Sequence, residues 1–442
     1  MSGTDNASSD GSAGSTTSAG RKAGRAGSPL TLEPLRRALV PVDTAAAEQV
    51  SAPNYDEFLD DLEVFEMIRR RPDCVLTVTM AHCAVDDPGA ILEQDSDASL
   101  ERAAERFRAL AGSPLLREVS GVYVLYEIVD PERPSVRQIG LGGIAPTRQI
   151  RTDENPDGGV VRNEGIREEK ARGRARLVEA TRGIIGTVNL AVEDQVGDFA
   201  RTLEDVADRR PEDFRATDER GATHRIWLVP ADDTAAEELR DALAREPEAY
   251  VADGNHRSAA AAMLGLEGYA AVVFSAPRMG LAPYNRLVDV DPLPHEELLD
   301  RLGAAFTVEP LDGVRGFRPP AVNEIGLFQG SRWMRLTPRP GSFDPASPAE
   351  SIDAEIVQRH IFDATFGITD PRDKRLTFVG GNRDAAWLED EVRAGRHAYA
   401  VSLAPVTMEQ FIEVCRAGEF MPPKSTWFQP KLRMGLFMVR LD

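Results

Sequence analysis

Asp253-Gly254-Asn255-His256-Arg257 places a carboxylate, a hinge, an amide, an imidazole and a guanidinium in consecutive positions. The apolar run Ala249–Ala252 before it reads as the end of a buried strand. Ser258 and the alanines after it read as the first turns of a helix, because alanine is the best helix former. A strand end, a glycine turn and a helix start aim several backbone N–H groups the same way, a geometry that favours an anion. Cations at a helix start oppose its dipole, so His256 and Arg257 need a negative charge or another reason to be there. In a phosphate site, the N–H groups after Gly254 cradle the phosphate and Arg257 neutralises it. Asp253 then holds a metal or a substrate group. The same residues also make an ordinary joint, with Asp253 as the helix cap and His256 and Arg257 on the surface.

Three further stretches carry groups of the same chemistry. In "VRNEGIREEKARGR" most charges read as the solvated face of a helix. Glu164 is the exception, because it stands where a glycine-bearing loop meets that helix and a carboxylate there can face a cleft as a base. "APYNRLV" brings Arg286 either to a ligand phosphate or into a turn whose asparagine satisfies the backbone. "MPPKSTWFQPKLRMGLF" has a stiff diproline approach, and Lys424, Ser425 and Thr426 then offer an ammonium and two hydroxyls in a row. Trp427 and Phe428 read as anchors to a core. Lys431 and Arg433 add positive charge locally.

That local charge stands out because the 442-residue chain carries a formal net charge of -20. An acidic surface repels nucleic-acid backbones, so nucleic acid is an unexpected partner. The six histidines form no metal-binding pair, and no Walker loop or nucleophile elbow is present. The three cysteines, Cys74, Cys83 and Cys415, cannot build a disulfide framework, and a cytoplasmic location is expected. No stretch is long and apolar enough for a membrane span, so no membrane association is expected.

The elements that must position these groups read as a mixed α/β (α+β) chain. Residues 1–30 are a Ser/Gly/Ala/Thr tail that cannot bury enough surface to order itself. A helix is predicted from Tyr55 to Arg71, a strand over Cys74–Met80 and a helix over Asp97–Ala111. Two strands joined by a proline-bearing turn follow, then a charged helix. From "THRIWLVP" to "YAAVVFSAP" strands and helices alternate. Residues 31–312 are read as the core with the site, and residues 313–442 as a C-terminal α/β region, either separate or closing over the same cleft. Within that region "EIGLFQGSRWMRLTP" is a hairpin turning at Gly-Ser.

Together "SAPNYD", Glu164 to Arg174, "YVADGNHRSAAAA", "APYNRLV", "ITDPRDKRLTFVGG" and "MPPKSTWFQPKLRMGLF" resemble a bacterial ParB-like family, the domain of unknown function numbered one thousand and fifteen. The resemblance runs along nearly the whole chain after the tail. Its central motif, usually Asp-Gly-His-His-Arg, is similar to the core of archaeal free serine kinases and to the nucleotide box of ParB proteins. It implies a ParB-like core that binds a nucleotide, ATP or ADP with Mg²⁺. Gly254, Asn255, His256, Arg257, Arg286, Lys424, Ser425 and Thr426 are the implied nucleotide contacts. Glu164, Asp253 and His256 are the implied catalytic groups, with Asp253 also on the metal. The implied activity is phosphorylation of a small hydroxyl amino acid, L-serine first. Asn163 and Asn255 depart from the family, which usually has histidine at both positions. A non-catalytic nucleotide-binding switch, a phosphoester hydrolase and a structural role alone are the competing readings.

Overall fold

The computed structural model describes residues 29–442, so the expected tail lies outside the described residues except for Pro29 and Leu30. Leu30 is buried against the central sheet. That sheet has eight strands in the order Val160–Val161, Ala249–Asp253, Val188–Val192, Gly268–Ser275, Gln138–Pro146, Val122–Val129, Thr223–Pro230 and Phe214–Thr217. Ala249–Asp253 runs parallel to Val160–Val161, and Gly268–Ser275 parallel to Val188–Val192. The remaining neighbours are antiparallel. The fold is mixed α/β, as the alternating pattern implied.

Helices Asp198–Asp208 and Thr234–Ala244 cover one face, setting Phe199, Leu203, Leu239 and Leu243 against Leu125, Leu141, Leu190 and Val273. The alternate residues Val124, Tyr126, Val272 and Phe274 belong to a second core that continues into the C-terminal region. With both faces covered, the central strands are largely apolar, and every residue of Gly268–Ser275 is buried.

A second sheet of six antiparallel strands has the order Phe306–Leu311, Arg332–Pro338, Ile325–Gln329, Tyr399–Leu403, Asn285–Val288 and Leu376–Val379. The expected hairpin is present, with Gln329 opposite Arg332 and Gly330 at a φ of 62° in the turn. Two of these strands precede residue 313. Beyond the second sheet the chain returns to the first unit. Trp427–Gln429 pairs with Gly280–Ala282, and Met438–Arg440 pairs with Ala38–Pro41 and Gly183–Ile184.

Two local expectations are corrected. Cys74–Met80 is not a strand: it holds the short helix Leu76–Thr79, buried on all sides among residues such as Val64, Phe65 and Phe107. Its β-branched residues suit a strand, but a short apolar run carries no period that separates a strand from a buried helix, and packing decides. The helix expected over Tyr55–Arg71 is broken. A single 3₁₀ turn, Tyr55–Glu57, precedes helix Asp61–Arg70, whose N-cap Asp60 accepts from the Glu63 amide. The break keeps Tyr55 and Asp56 off that helix and beside the Asp253 turn.

The returning segment is anchored by Trp427, which is 1% exposed and edge-on to Tyr284 at 5.2 Å. Gly380 permits this approach, since a Cβ there would lie 2.1 Å from the indole ring. Trp427→Ala is expected to lower stability by about 3–5 kcal/mol, read from urea denaturation. A loss below about 1 kcal/mol would mean that the segment is held elsewhere.

Candidate functional site

Strand Ala249–Asp253 ends at Asp253, and helix Asn255–Met263 starts directly after Gly254. Gly254 has a φ of 106° and ψ of 25°, a conformation that strains any side-chain-bearing residue. A Cβ there would also press within 3.0 Å of Arg257 Nε and 3.2 Å of Val188 Cα. The turn thus needs glycine twice over. Arg257 and Ser258 donate their amides to the Gly254 carbonyl, while no backbone acceptor takes the amides of Asn255 and His256 among the described residues. Those two orphan donors sit at the positive end of the helix.

A cavity of about 280 Å³ opens at this joint. It brings together Glu164, Asp253, Gly254, Asn255, His256, Arg257 and Lys424, seven of the ten residues expected at the site. Tyr55, Asp56, Arg167, Lys170 and Arg174 line it too. The charged helix Glu168–Thr181 therefore does more than face solvent, since Lys170 and Arg174 on it, with Arg167 at its N-cap, turn toward the cavity.

Arg286, Ser425 and Thr426 do not reach the cavity. Arg286 is 3% exposed on strand Asn285–Val288, and donates to the carbonyls of Tyr284 at 2.8 Å and Lys424 at 3.0 Å. Phe378 lies below its guanidinium at 4.4 Å. Burial brings its pKa down to about 10. It holds the backbone of Lys424, which adopts a left-handed φ of 61°, and so aims that ammonium. Ser425 donates its hydroxyl to the Pro422 carbonyl at 2.7 Å, closing the diproline turn. Thr426 accepts from Asn163 at 3.5 Å.

The two asparagines that stand where the resemblance expects histidines meet each other. Asn255 Nδ2 donates to Asn163 Oδ1 at 2.8 Å, below the cavity floor, and both residues are buried. This pair exchanges no proton near neutral pH.

Asp253 is a pairing group. Its Oδ1 lies 3.0 Å from Arg257 Nη2 and its Oδ2 lies 3.2 Å from Lys431 Nζ. Burial pushes its carboxyl up, but Lys431, Arg257 and Lys424 outweigh burial and hold it far below the usual carboxylate range. The expectation of a metal on Asp253 meets a carboxylate whose two oxygens already carry cations. Among the described residues, the one cluster of three histidine, cysteine or carboxylate groups close enough to share an ion is Asp61, His82 and Cys83, which excludes Asp253. The Arg257 guanidinium is also held by the Thr187 carbonyl. It braces the turn more than it faces a ligand.

Lys431 and Asp56 are the partners that a reading of local motifs misses. Lys431 Nζ lies 2.9 Å from Asp56 Oδ2 and 4.3 Å above the Trp427 ring, and Lys424 Nζ lies 3.9 Å from the same Asp56 oxygen. The local signals were the "SAPNYD" stretch for Asp56 and the positive charge of "MPPKSTWFQPKLRMGLF" for Lys431, and neither showed that the two pair. Three buried atoms at the cavity have no hydrogen-bond partner: Asp56 Oδ1, Asn255 Oδ1 and Arg167 Nε. Burial raises the Glu164 carboxyl, opposed by Lys424 and Arg167.

His256 is not the cation that its position at the helix start suggested. Burial, then Arg167, Lys424, Arg174 and Lys170, bring its pKa down to about 4. Its Nε2 accepts the Arg167 amide at 3.1 Å, which places the proton of the neutral ring on Nδ1.

The strand–glycine–helix joint of this mixed α/β fold opens on a cavity lined by both cations and carboxylates. The chain belongs to the family described as Protein of unknown function (DUF1015), which it matches over residues 32–360. A search of curated proteins found no match. Solved structures with some likeness include a conserved hypothetical protein from Pyrococcus furiosus, at 13% identity over 61% of this chain and 87% of that one, TM-score 0.33. A free serine kinase in complex with AMP is 12% identical over 61% of this chain and 83% of its own, TM-score 0.35. SbnI with C-terminal truncation, from Staphylococcus aureus, is 11% identical over 68% and 87%, TM-score 0.36. Likeness at these scores carries no argument about function. No helix among the described residues is long and apolar enough to cross a membrane.

The histidine gives a direct check. Its folded pKa lies below the ordinary 6.5, so the neutral ring supports the fold above that pH, and the contribution fades as pH falls through about 4. NMR titration of the His256 ring in the ligand-free protein is expected to show a midpoint near 4. A midpoint near 6.5 would mean that neither burial nor the surrounding cations act on it.

Proposed function

We propose that this chain is a phosphotransferase that binds a nucleotide in the 280 Å³ cavity and passes the terminal phosphoryl group to a small hydroxyl compound. One observation carries the reading: hydrogen-bond donors with no partner in the fold share one cavity with five basic side chains, Arg167, Lys170, Arg174, Arg257 and Lys424, set beside the carboxylates of Asp56, Asp60, Asp61, Glu164 and Asp253. Arg167 Nε, the orphan amides of Asn255 and His256, and the ammonium group of Lys170 are donors that meet no anionic oxygen among the described residues. Phosphates supply such oxygens. Catalysis would then rest on positioning and charge neutralisation.

Glu164 is the candidate base. Burial raises its affinity for a proton, which suits it to take one from a hydroxyl. The acceptor oxygen would bond to phosphorus as the bridging oxygen leaves with the shortened nucleotide. L-serine is the leading acceptor through the family resemblance, and ATP or ADP the donor. Asp253 would position Arg257 and Lys431. The donor set does not fit a Mg²⁺ ion held by Asp253, and no step here depends on one.

Isothermal titration with ATP, ADP and CTP tests the binding half, and Arg167→Ala is expected to weaken the binding about tenfold. Glu164→Gln should leave nucleotide affinity within about twofold while stopping phosphoserine formation. Transfer that survives Glu164→Gln would remove the base assignment. Binding with no transfer in the wild-type protein would favour a nucleotide-binding switch of the ParB-like kind. No binding of any of the three nucleotides would overturn the proposal.

A further inference from the structure

The nucleotide reading leaves the base unplaced, and the inference that follows rests on that reading. A second cavity, about 50 Å³, adjoins the first and shares Tyr55, Arg174 and Arg257 with it. Its other walls are mostly apolar and include Leu177, Ile185, Ala261, Leu266 and Met434. Two more wall residues carry a buried polar atom without a partner, Asn54 at its Oδ1 and Tyr269 at its hydroxyl. The Tyr269 side chain is 1% exposed, and its hydroxyl has no hydrogen-bond partner. A buried hydroxyl without a partner is costly, and a planar ligand with a polar edge would relieve it.

Of the three residues common to both cavities, Arg174 is the least committed. The Arg174 guanidinium lies 3.9 Å over the Tyr55 ring and forms no ion pair or hydrogen bond with another described residue. That stack occupies the place a flat heteroaromatic group would take, and a nucleobase stacks on an aromatic face as readily as a guanidinium does. The apolar cavity is smaller than a base as it stands. Displacing Arg174 from Tyr55 joins it to the larger one, and frees a cation on the phosphate side.

We propose that Tyr55, Arg174 and Tyr269 form a nucleobase subsite. The base replaces the Arg174 guanidinium on the Tyr55 ring and its polar edge meets the Tyr269 hydroxyl. Arg174 swings to the phosphates in the same movement. Purine and pyrimidine bases share this chemistry, and the choice between them is left to the test.

The test compares ATP, CTP and inorganic tripolyphosphate by titration calorimetry on the full chain. The wild-type protein is expected to bind at least one nucleotide about tenfold more tightly than tripolyphosphate. Tyr55→Leu should remove most of that margin and leave tripolyphosphate affinity within about twofold. Tyr269→Phe, which keeps the ring and its packing, should weaken the preferred nucleotide several-fold without touching tripolyphosphate. Equal binding of nucleotides and tripolyphosphate by the wild-type protein would overturn the subsite while leaving the phosphate site standing. So would equal losses for all three probes in Tyr269→Phe. Binding of none of the probes would overturn both.

Discussion

Lys431 is the residue on which the site depends. Its ammonium is 6% exposed and is shared between Asp56 and Asp253, over the face of Trp427. The three charges come from the N-terminal 3₁₀ turn, the end of a central strand and the returning C-terminal segment. A buried cation between two carboxylates is tolerable only while both stay in place, because removing one partner from such a pair costs about 3–5 kcal/mol. The network therefore fixes how three distant stretches of chain meet, and their meeting forms the cavity walls. Arg257 extends the same alternation of sign back to Gly254, and Arg286 extends it in a different way by holding the backbone that presents Lys424.

Pairing then separates the groups that build the site from those left to work in it. Asp253, Arg257, Arg286 and Ser425 have their partners within the fold. Asp56 Oδ1, Asn255 Oδ1 and Arg167 Nε do not. Few buried polar atoms go unsatisfied in a folded protein, so these three are the atoms that the proposed ligand would have to satisfy. The depressed pKa of His256 comes first from burial, and the cations around it add to it by disfavouring a further positive charge.

Much of the architecture was legible because its signals are local. The alternation from Thr223 to Ser275 rests on short apolar runs, capping residues and alanine-rich turns, each acting over a few positions, and the structure places the elements where these signals fall. The Asp253–Arg257 joint was legible for the same reason, since Gly254 alone allows the turn. Cys74–Met80 was misread because strand-like residue types were packed into a short buried helix. Tyr55–Arg71 was misread because an amphipathic pattern ran across a break.

By itself the sequence determined which residues could carry charge and where the strand before Gly254 must turn. Tertiary structure decided which of those charges remain available. Arg286 donates equally well to a phosphate or to a carbonyl, and only the backbone path of the diproline turn, brought beside it by the fold, selects the carbonyl. Asp56 and Lys431 stand 375 positions apart, beyond the reach of any local pattern. Their pairing exists because the chain returns across its first sheet, and because a charge taken from water must find its opposite there.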